Sequence, residues 1–166
     1  MSGASDVLRV MIAEDEPLAR RALRRMLQED PAVVLVAEAF DVVTLTALVQ
    51  RPTPVDVIFV DIRMPGGSVF DALSLVPADT LVVFTTAHPE HAAAAFDLDA
   101  VDYLRKPFGA RRVHEALERV RRRRRTIPSR ANADGHLLVR VGVREVPVRL
   151  ASVWRFEGAD DCVKVV

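Results

Sequence analysis

Short apolar runs alternate with longer amphipathic stretches through the first 125 residues. Leu8–Ala13 is apolar except for Arg9. Val57–Val60 and Leu81–Phe84 are similar runs, rich in Val, Ile and Phe and ending in polar residues. Apolar runs of this length, bounded this way, read as strands covered on both faces, as in a parallel sheet. Val33–Ala37 predicts a further strand and Asp102–Leu104 a short fifth. Helical patterns fill the gaps. Pro17 suits a first helical turn. Behind it Leu18, Ala22, Met26 and Leu23, Leu27 recur at three and four residues, with arginines opposite. Asp41–Gln50, Phe70–Val76 and Glu90–Phe96 predict three more helices. The last begins near Gly109 and carries Val113, Ala116, Leu117 and Val120 on one face. This alternation predicts an α/β fold: an open, five-stranded parallel sheet with helices on both faces, flavodoxin-like in arrangement.

Arg121–Arg125 extends the last helix or starts a linker. Residues 126–135 (TIPSRANADG) have linker composition. After them the period switches to two. Leu137, Val139 and Val141 alternate with Leu138 and Arg140, then Val146, Val148 and Leu150 with Pro147 and Arg149. That is an antiparallel pattern around a turn at Gly142, with a further strand pair around Gly158–Asp161. Trp154 and Phe156 share a strand face and read as core. The expected organisation is an α/β domain over 1–125, a linker over 126–136 and a β segment over 137–166.

Composition narrows the class. Half of the 166 residues are apolar, enough for one sizeable core, which excludes a disordered or fibrous chain. No apolar run approaches membrane-spanning length and residues 1–6 lack a leader pattern, so a cytoplasmic protein without a membrane partner is expected. The single cysteine, Cys162, excludes an intramolecular disulfide and a cysteine zinc site. Net charge is zero but unevenly placed: residues 1–104 hold 7 basic and 16 acidic side chains, and residues 105–166 hold 16 and 7. A basic end suggests contact with something anionic; a solvated surface helix is the plainer reading, and so for Arg121–Arg125. Of 23 basic residues only Lys106 and Lys164 are lysine, so Lys106 does not reflect a general habit.

In an open α/β sheet, ligands bind beyond the carboxyl ends of the strands. The residues there are Glu14-Asp15-Glu16 after the first strand and Asp61 after the third. Thr85-Thr86 follow the fourth, and Lys106-Pro107 the fifth. Converging carboxylates repel and need protons or a cation. All-oxygen ligation favours a hard ion such as Mg²⁺. A carboxylate beside such an ion can attack phosphorus, with lysine and hydroxyl donors stabilising the group in transfer.

The segments VMIAEDEP, VIFVDIRMPGG, FTTAHPEHA and DYLRKPF resemble, in order, the four motifs of two-component response regulators. Their spacings are 46 residues from Asp15 to Asp61, 25 from Asp61 to Thr86 and 20 from Thr86 to Lys106. The resemblance implies that Asp61 is the phosphoacceptor. It implies Mg²⁺ held by Asp15, Asp61 and the backbone carbonyl of Arg63, with Glu14 assisting through water. By the same resemblance Lys106 pairs with the phosphoryl oxygens, Thr86 bonds them after a small shift, and Tyr103 is the mobile switch aromatic. The Lys106–Pro107 bond is usually cis in the family. Residues 137–166 (LLVRVG, REVPVRLASVWRFEG, CVKVV) resemble the beginning of a LytTR-type DNA-binding domain, about a third of one. The implied partners are a sensor histidine kinase, a second copy of the chain and, for the full-length protein, DNA. Pairing of copies is expected through the predicted helix Glu90–Phe96, the fifth strand and the last helix, and through the β tail. Glu14 stands where the family more often has Asp, and Val69 where many members have Gly, so the loop after Asp61 is expected to differ. The Thr before Ala87, Thr86, fits the hydroxyl position better than Thr85.

Other readings compete. Asp15 and Asp61 taken alone are ordinary strand-end helix caps, and Tyr103 an ordinary core aromatic. His88 and His91 lack an evident third metal ligand. A stand-alone receiver would act through protein contacts only. An aspartyl-phosphate phosphatase usually has a second Asp two residues after its nucleophile, where this chain has Arg63. A non-enzymatic regulator of transcription is the expectation.

Overall fold

Five strands form one parallel sheet in the order β2-β1-β3-β4-β5. They are β1 (Leu8–Ala13), β2 (Val33–Ala39), β3 (Val57–Asp61), β4 (Leu81–Thr86) and β5 (Asp102–Arg105). The computed structural model describes residues 7–87 and 99–126, and the backbone of four strands between 136 and 165. Strands β1 and β3 are buried almost throughout, which is why they read as continuous apolar runs. Edge strand β2 stays half exposed and is bulged near Val10 and Met11 of its neighbour. Bulging discourages an open edge from pairing with another chain.

The helices are α1 (Pro17–Gln28), α2 (Val42–Val49), α3 (Val69–Leu73) and α4 (Ala110–Thr126). Pro17 stands in the first turn of α1. Asp41 caps α2 by accepting from the Thr44 N–H at 2.6 Å, and the Ser68 hydroxyl caps α3. Met11, Ala13, Ile58, Val60 and Phe84 pack with Val42, Leu45, Val69, Ala72 and Leu73 in one cluster. The alternate residues Val10, Ile12, Val57, Phe59 and Val83 are also buried. By alternation they line the opposite face, where right-handed crossovers place α1. Leu23 and Leu27 of α1 and Val113, Ala116, Leu117 and Val120 of α4 are buried in turn.

Some expectations need correction. Leu18 belongs to the apolar repeat of α1 but is 70% exposed. It sits in the first turn of the helix, where the described residues leave it open to solvent. Helix α3 is shorter than Phe70–Val76: Ser74 ends it after five residues, its hydroxyl bonding the Asp71 carbonyl. Glycine-type backbone in the loop after Asp61 is met at Gly66 (φ 96°) and Gly67 (φ 135°), so Val69 is free to open α3. Arg121–Arg125 continue the helix, and they are not a merely solvated end. Arg121 is 11% exposed and pairs with Asp30 at 2.8 Å. Arg123 pairs with Asp99, and Arg124 bonds the Val7 carbonyl at 2.9 Å.

The chain divides into two compact units, Met1–Arg125 and Thr126–Val166. In the second, β6 (His136–Val141) pairs antiparallel with β7 (Arg144–Arg149), and β8 (Phe156–Ala159) with β9 (Cys162–Val165). The predicted helix Glu90–Phe96, with His88 and His91, lies outside the described residues, as does Trp154. The side chain of Phe156 does too.

Asp102 ties β5 to α4. It accepts from Arg112 at 2.7 Å through both its oxygens and from Arg119 at 2.7 Å. Burial alone would raise its carboxyl, but the Arg112 bonds, the Tyr103 N–H and Arg119 prevail and hold it below the usual carboxylate range. A depressed folded-state value stabilises above the unfolded value, near pH 4, and that stability is lost as pH falls through the folded value. Asp102→Asn is therefore expected to cost roughly 1–3 kcal/mol at pH 7, discounted because both arginines are partly exposed. Urea melts should show that gap, and it should narrow at pH 3.

Candidate functional site

Sheet order β2-β1-β3 reverses direction between β1 and β3, so their carboxyl ends open a crevice. Glu14 and Asp15 leave β1 on one side of it. Asp61 closes β3 on the other, its row shared with Thr85 of β4. Lys106 leaves β5, its N–H held by the Thr86 carbonyl at 2.8 Å. The bond after it, Lys106–Pro107, is cis.

Four of the predicted side chains converge. Lys106 Nζ donates to Asp61 Oδ2 at 2.5 Å and lies 2.7 Å from Glu14 Oε2. Glu14, Asp15 and Asp61 can bring one carboxylate oxygen each within 4.8 Å of one another. Glu14 is 1% exposed and Asp61 7%, whereas Asp15 faces solvent. The other oxygen of Asp61, Oδ1, accepts the Arg63 N–H at 2.9 Å. Burial pushes the Glu14 carboxyl up, bonding to Lys106 opposes this, and the nearby Asp61 charge adds to it; the net direction is upward. Burial would lower Lys106, but its bonds to Asp61 and Glu14 outweigh that and hold its ammonium above the ordinary lysine value. Three carboxylates, with backbone beside them and one open to water, make an all-oxygen donor set that suits a hard divalent cation.

Thr86 is 3% exposed and ends β4 beside Arg105 of β5. Tyr103 lies two rows back. Its ring stacks on Phe84 with centroids 5.6 Å apart, and Phe84 in turn meets Phe70 of α3 at 6.0 Å. Burial raises the Tyr103 phenol. One contact was not legible in the motifs. Arg20 of α1 reaches back to the loop, donating to the Glu14 carbonyl at 2.7 Å and to the Asp15 carbonyl at 3.4 Å. Its only trace in the sequence is its position one turn into the helix that follows the acids.

Residues 10–118 match the family of the response regulator receiver domain. The chain belongs to the response regulator receiver family. The sensory transduction protein LytT of Oceanobacillus iheyensis is 37% identical over 120 residues, which is 69% of this chain and 48% of that protein. The transcriptional regulatory protein BtsR of Escherichia coli is 38% identical over 120 residues, 71% of this chain and 50% of that protein. The chain thus spans about half the length of the curated relatives it matches. The response regulatory domain of protein mrkE from Klebsiella pneumoniae has the same fold, with TM-score 0.65 and 30% identity over 71% of this chain and 98% of that one. The five-stranded receiver fold is therefore established, and among the described residues no helix is long and apolar enough to cross a membrane.

Thr85 distinguishes itself from Thr86. Its hydroxyl is buried with no hydrogen-bond partner among the described residues. A stranded buried hydroxyl costs roughly 1–3 kcal/mol, and valine matches its shape. Thr85→Val should raise the melting temperature by a few degrees, roughly 2–6 °C. It should leave the chemistry at Asp61 intact. Calorimetry of parent and variant checks this, and a lower melting temperature would be the contrary result.

Proposed function

We propose that this receiver accepts a phosphoryl group on Asp61 from a sensor histidine kinase, uses Mg²⁺, and through its phosphorylated state switches self-association and DNA binding to control transcription. The observation that carries the reading is the triangle of Glu14, Asp61 and Lys106, with Asp15 beside it, at the carboxyl ends of β1, β3 and β5.

Asp61 is the attacking group. The Arg63 N–H fixes one of its oxygens, so its carboxylate has a defined direction. A carboxylate oxygen forms a bond to phosphorus as the bond from phosphorus to the donor histidine nitrogen breaks, and the electron pair leaves on that nitrogen. The product is an acyl phosphate. Lys106, held between two acids, is placed to follow the negative charge onto the phosphoryl oxygens. Asp15, Asp61 and the Arg63 carbonyl would hold Mg²⁺, with Glu14 assisting through water. When bound, the ion neutralises carboxylates and phosphoryl oxygens together. Thr86 supplies a hydroxyl to the phosphoryl group, and Tyr103, stacked on Phe84, reports its movement to β5 and α4.

In this reading residues 1–125 are the receiver, 126–136 a linker and 137–166 the start of a LytTR-type DNA-binding domain. The likeness over 120 residues to proteins named as transcriptional regulators supports the role in transcription. The protein works in the cytoplasm as a non-enzymatic regulator, and its copies pair through the β5–α4 side of the receiver and through the β tail.

The test is incubation with acetyl phosphate and Mg²⁺ followed by intact mass. The parent should gain one phosphoryl mass that hydroxylamine removes, and Asp61→Ala should gain none. Equal labelling of both would refute the assignment. Lys106→Ala removes a cation that competes for Asp61 and Glu14, so calorimetric titration should show Mg²⁺ affinity retained or increased. The response to phosphorylation should be lost with a charge-assisted bond of about 1.5–3 kcal/mol.

A further inference from the structure

Three consecutive acids, Glu14-Asp15-Glu16, join β1 to α1, and within that loop the Glu16 N–H bonds Glu14 Oε1 at 3.3 Å. Glu16 is the N-cap of α1, yet its side chain makes no capping bond. The Glu14 N–H is held by the Ala39 carbonyl at 3.0 Å. The carbonyls of Glu14 and Asp15 are held by Arg20. Arg20 Nε lies 3.8 Å from Glu38 Oε2, a carboxylate whose two oxygens are both bonded by Arg24. Glu38 pairs in register with Ile12 of β1, two residues before Glu14. One guanidinium therefore joins the peptide planes of the acidic loop to the sheet.

We infer that Arg20 is the positioning residue for the acidic pair, an inference that rests on the proposed Mg²⁺-dependent site. The peptide planes after Glu14 and Asp15 set where the two Cα–Cβ bonds point. Fixing both carbonyls fixes the direction in which both carboxylates enter the crevice. Bonding also turns the two carbonyl dipoles toward a positive charge rather than leaving them as further negative ends beside three acids. The task suits arginine. Its planar fork presents five donors, so it serves two carbonyls and faces Glu38 at once, where a lysine ammonium offers a compact point charge. Arg20 acts through backbone, and its neighbour Arg24 touches only Glu38 among these groups. The pair therefore separates positioning from plain stability.

The experiment compares the full chain with Arg20→Ala, Arg20→Lys and Arg24→Ala, using calorimetric Mg²⁺ titration, thermal melts and amide exchange. Groups that orient metal ligands are worth about 10–100-fold in affinity, so Arg20→Ala should bind Mg²⁺ about 10-fold more weakly, with Arg20→Lys between it and the parent. Arg24→Ala should lower the melting temperature yet keep Mg²⁺ affinity within about twofold, since it leaves the carbonyl contacts in place. Without metal, the amides of Asp15, Glu16 and Leu18 should exchange faster in Arg20→Ala than in Arg24→Ala. Unchanged Mg²⁺ affinity in Arg20→Ala, or an equal loss in Arg24→Ala, overturns the positioning role while leaving the proposed function standing. A parent that neither binds Mg²⁺ nor labels at Asp61 overturns both. If Arg20→Ala does not fold, Arg20→Lys decides, with a loss of at least about threefold expected.

Discussion

Two carboxylates, Glu14 and Asp61, are buried at the ends of neighbouring strands, and the ammonium of Lys106 lies between them. Taking such charges out of water costs several kcal/mol each unless an opposite charge and hydrogen bonds replace the solvent. Much of the architecture follows from meeting that condition. The acids must come from β1 and β3, adjacent at the point where strand order reverses. The cation must arrive from β5 across β4, which requires the Lys106 N–H to be fixed on the Thr86 carbonyl. A lysine suits the place because one compact ammonium has three donors to divide between two separate carboxylates.

Elsewhere several acids of the receiver are met by arginine, and Glu38, Asp56 and Asp102 each take two or more such bonds. Asp56 accepts from the Arg9 N–H and its guanidinium, and Asp102 from Arg112 and Arg119. Asp30 accepts from Arg121. This changes the meaning of the charge imbalance between residues 1–104 and 105–166. Four basic side chains of α4, Arg112, Arg119, Arg121 and Arg123, have anionic partners within the receiver itself, in Asp30, Asp99 and Asp102. Part of what reads as an excess waiting for an external anion is the internal clamp that holds α4 on the sheet.

The parallel sheet was legible because both its faces are covered, which forces unbroken apolar runs such as Val57–Val60. The apolar face of α4 was legible for a related reason: Val113, Ala116, Leu117 and Val120 are all buried, as their spacing requires. Periodicity failed at Leu18, because a repeat records which side a residue is on and not whether anything lies above it. Motif spacing foresaw that Glu14, Asp15, Asp61 and Lys106 meet. It was blind to Arg20, whose contacts run to backbone carbonyls and leave no side-chain pattern in the sequence. The same blindness covers Asp102 and Arg112, which meet only because α4 folds back on β5.

The arrangement also makes sense of a longer acid at position 14. Within the proposed function, the site has to satisfy two demands with one set of oxygens. At rest it must stay neutral enough to remain buried, which Lys106 achieves by holding Glu14 and Asp61 together. In the transfer state Asp61 must give up Lys106 to the incoming phosphoryl oxygens. A side chain that reaches the ammonium keeps Lys106 anchored through that exchange, because the Glu14 contact does not depend on the free carboxylate of Asp61. In the proposed transfer the lysine would pivot about Glu14 rather than leave the crevice. The charge it delivers to the phosphoryl group is already desolvated and aimed, which is what lets a fixed cation act strongly there.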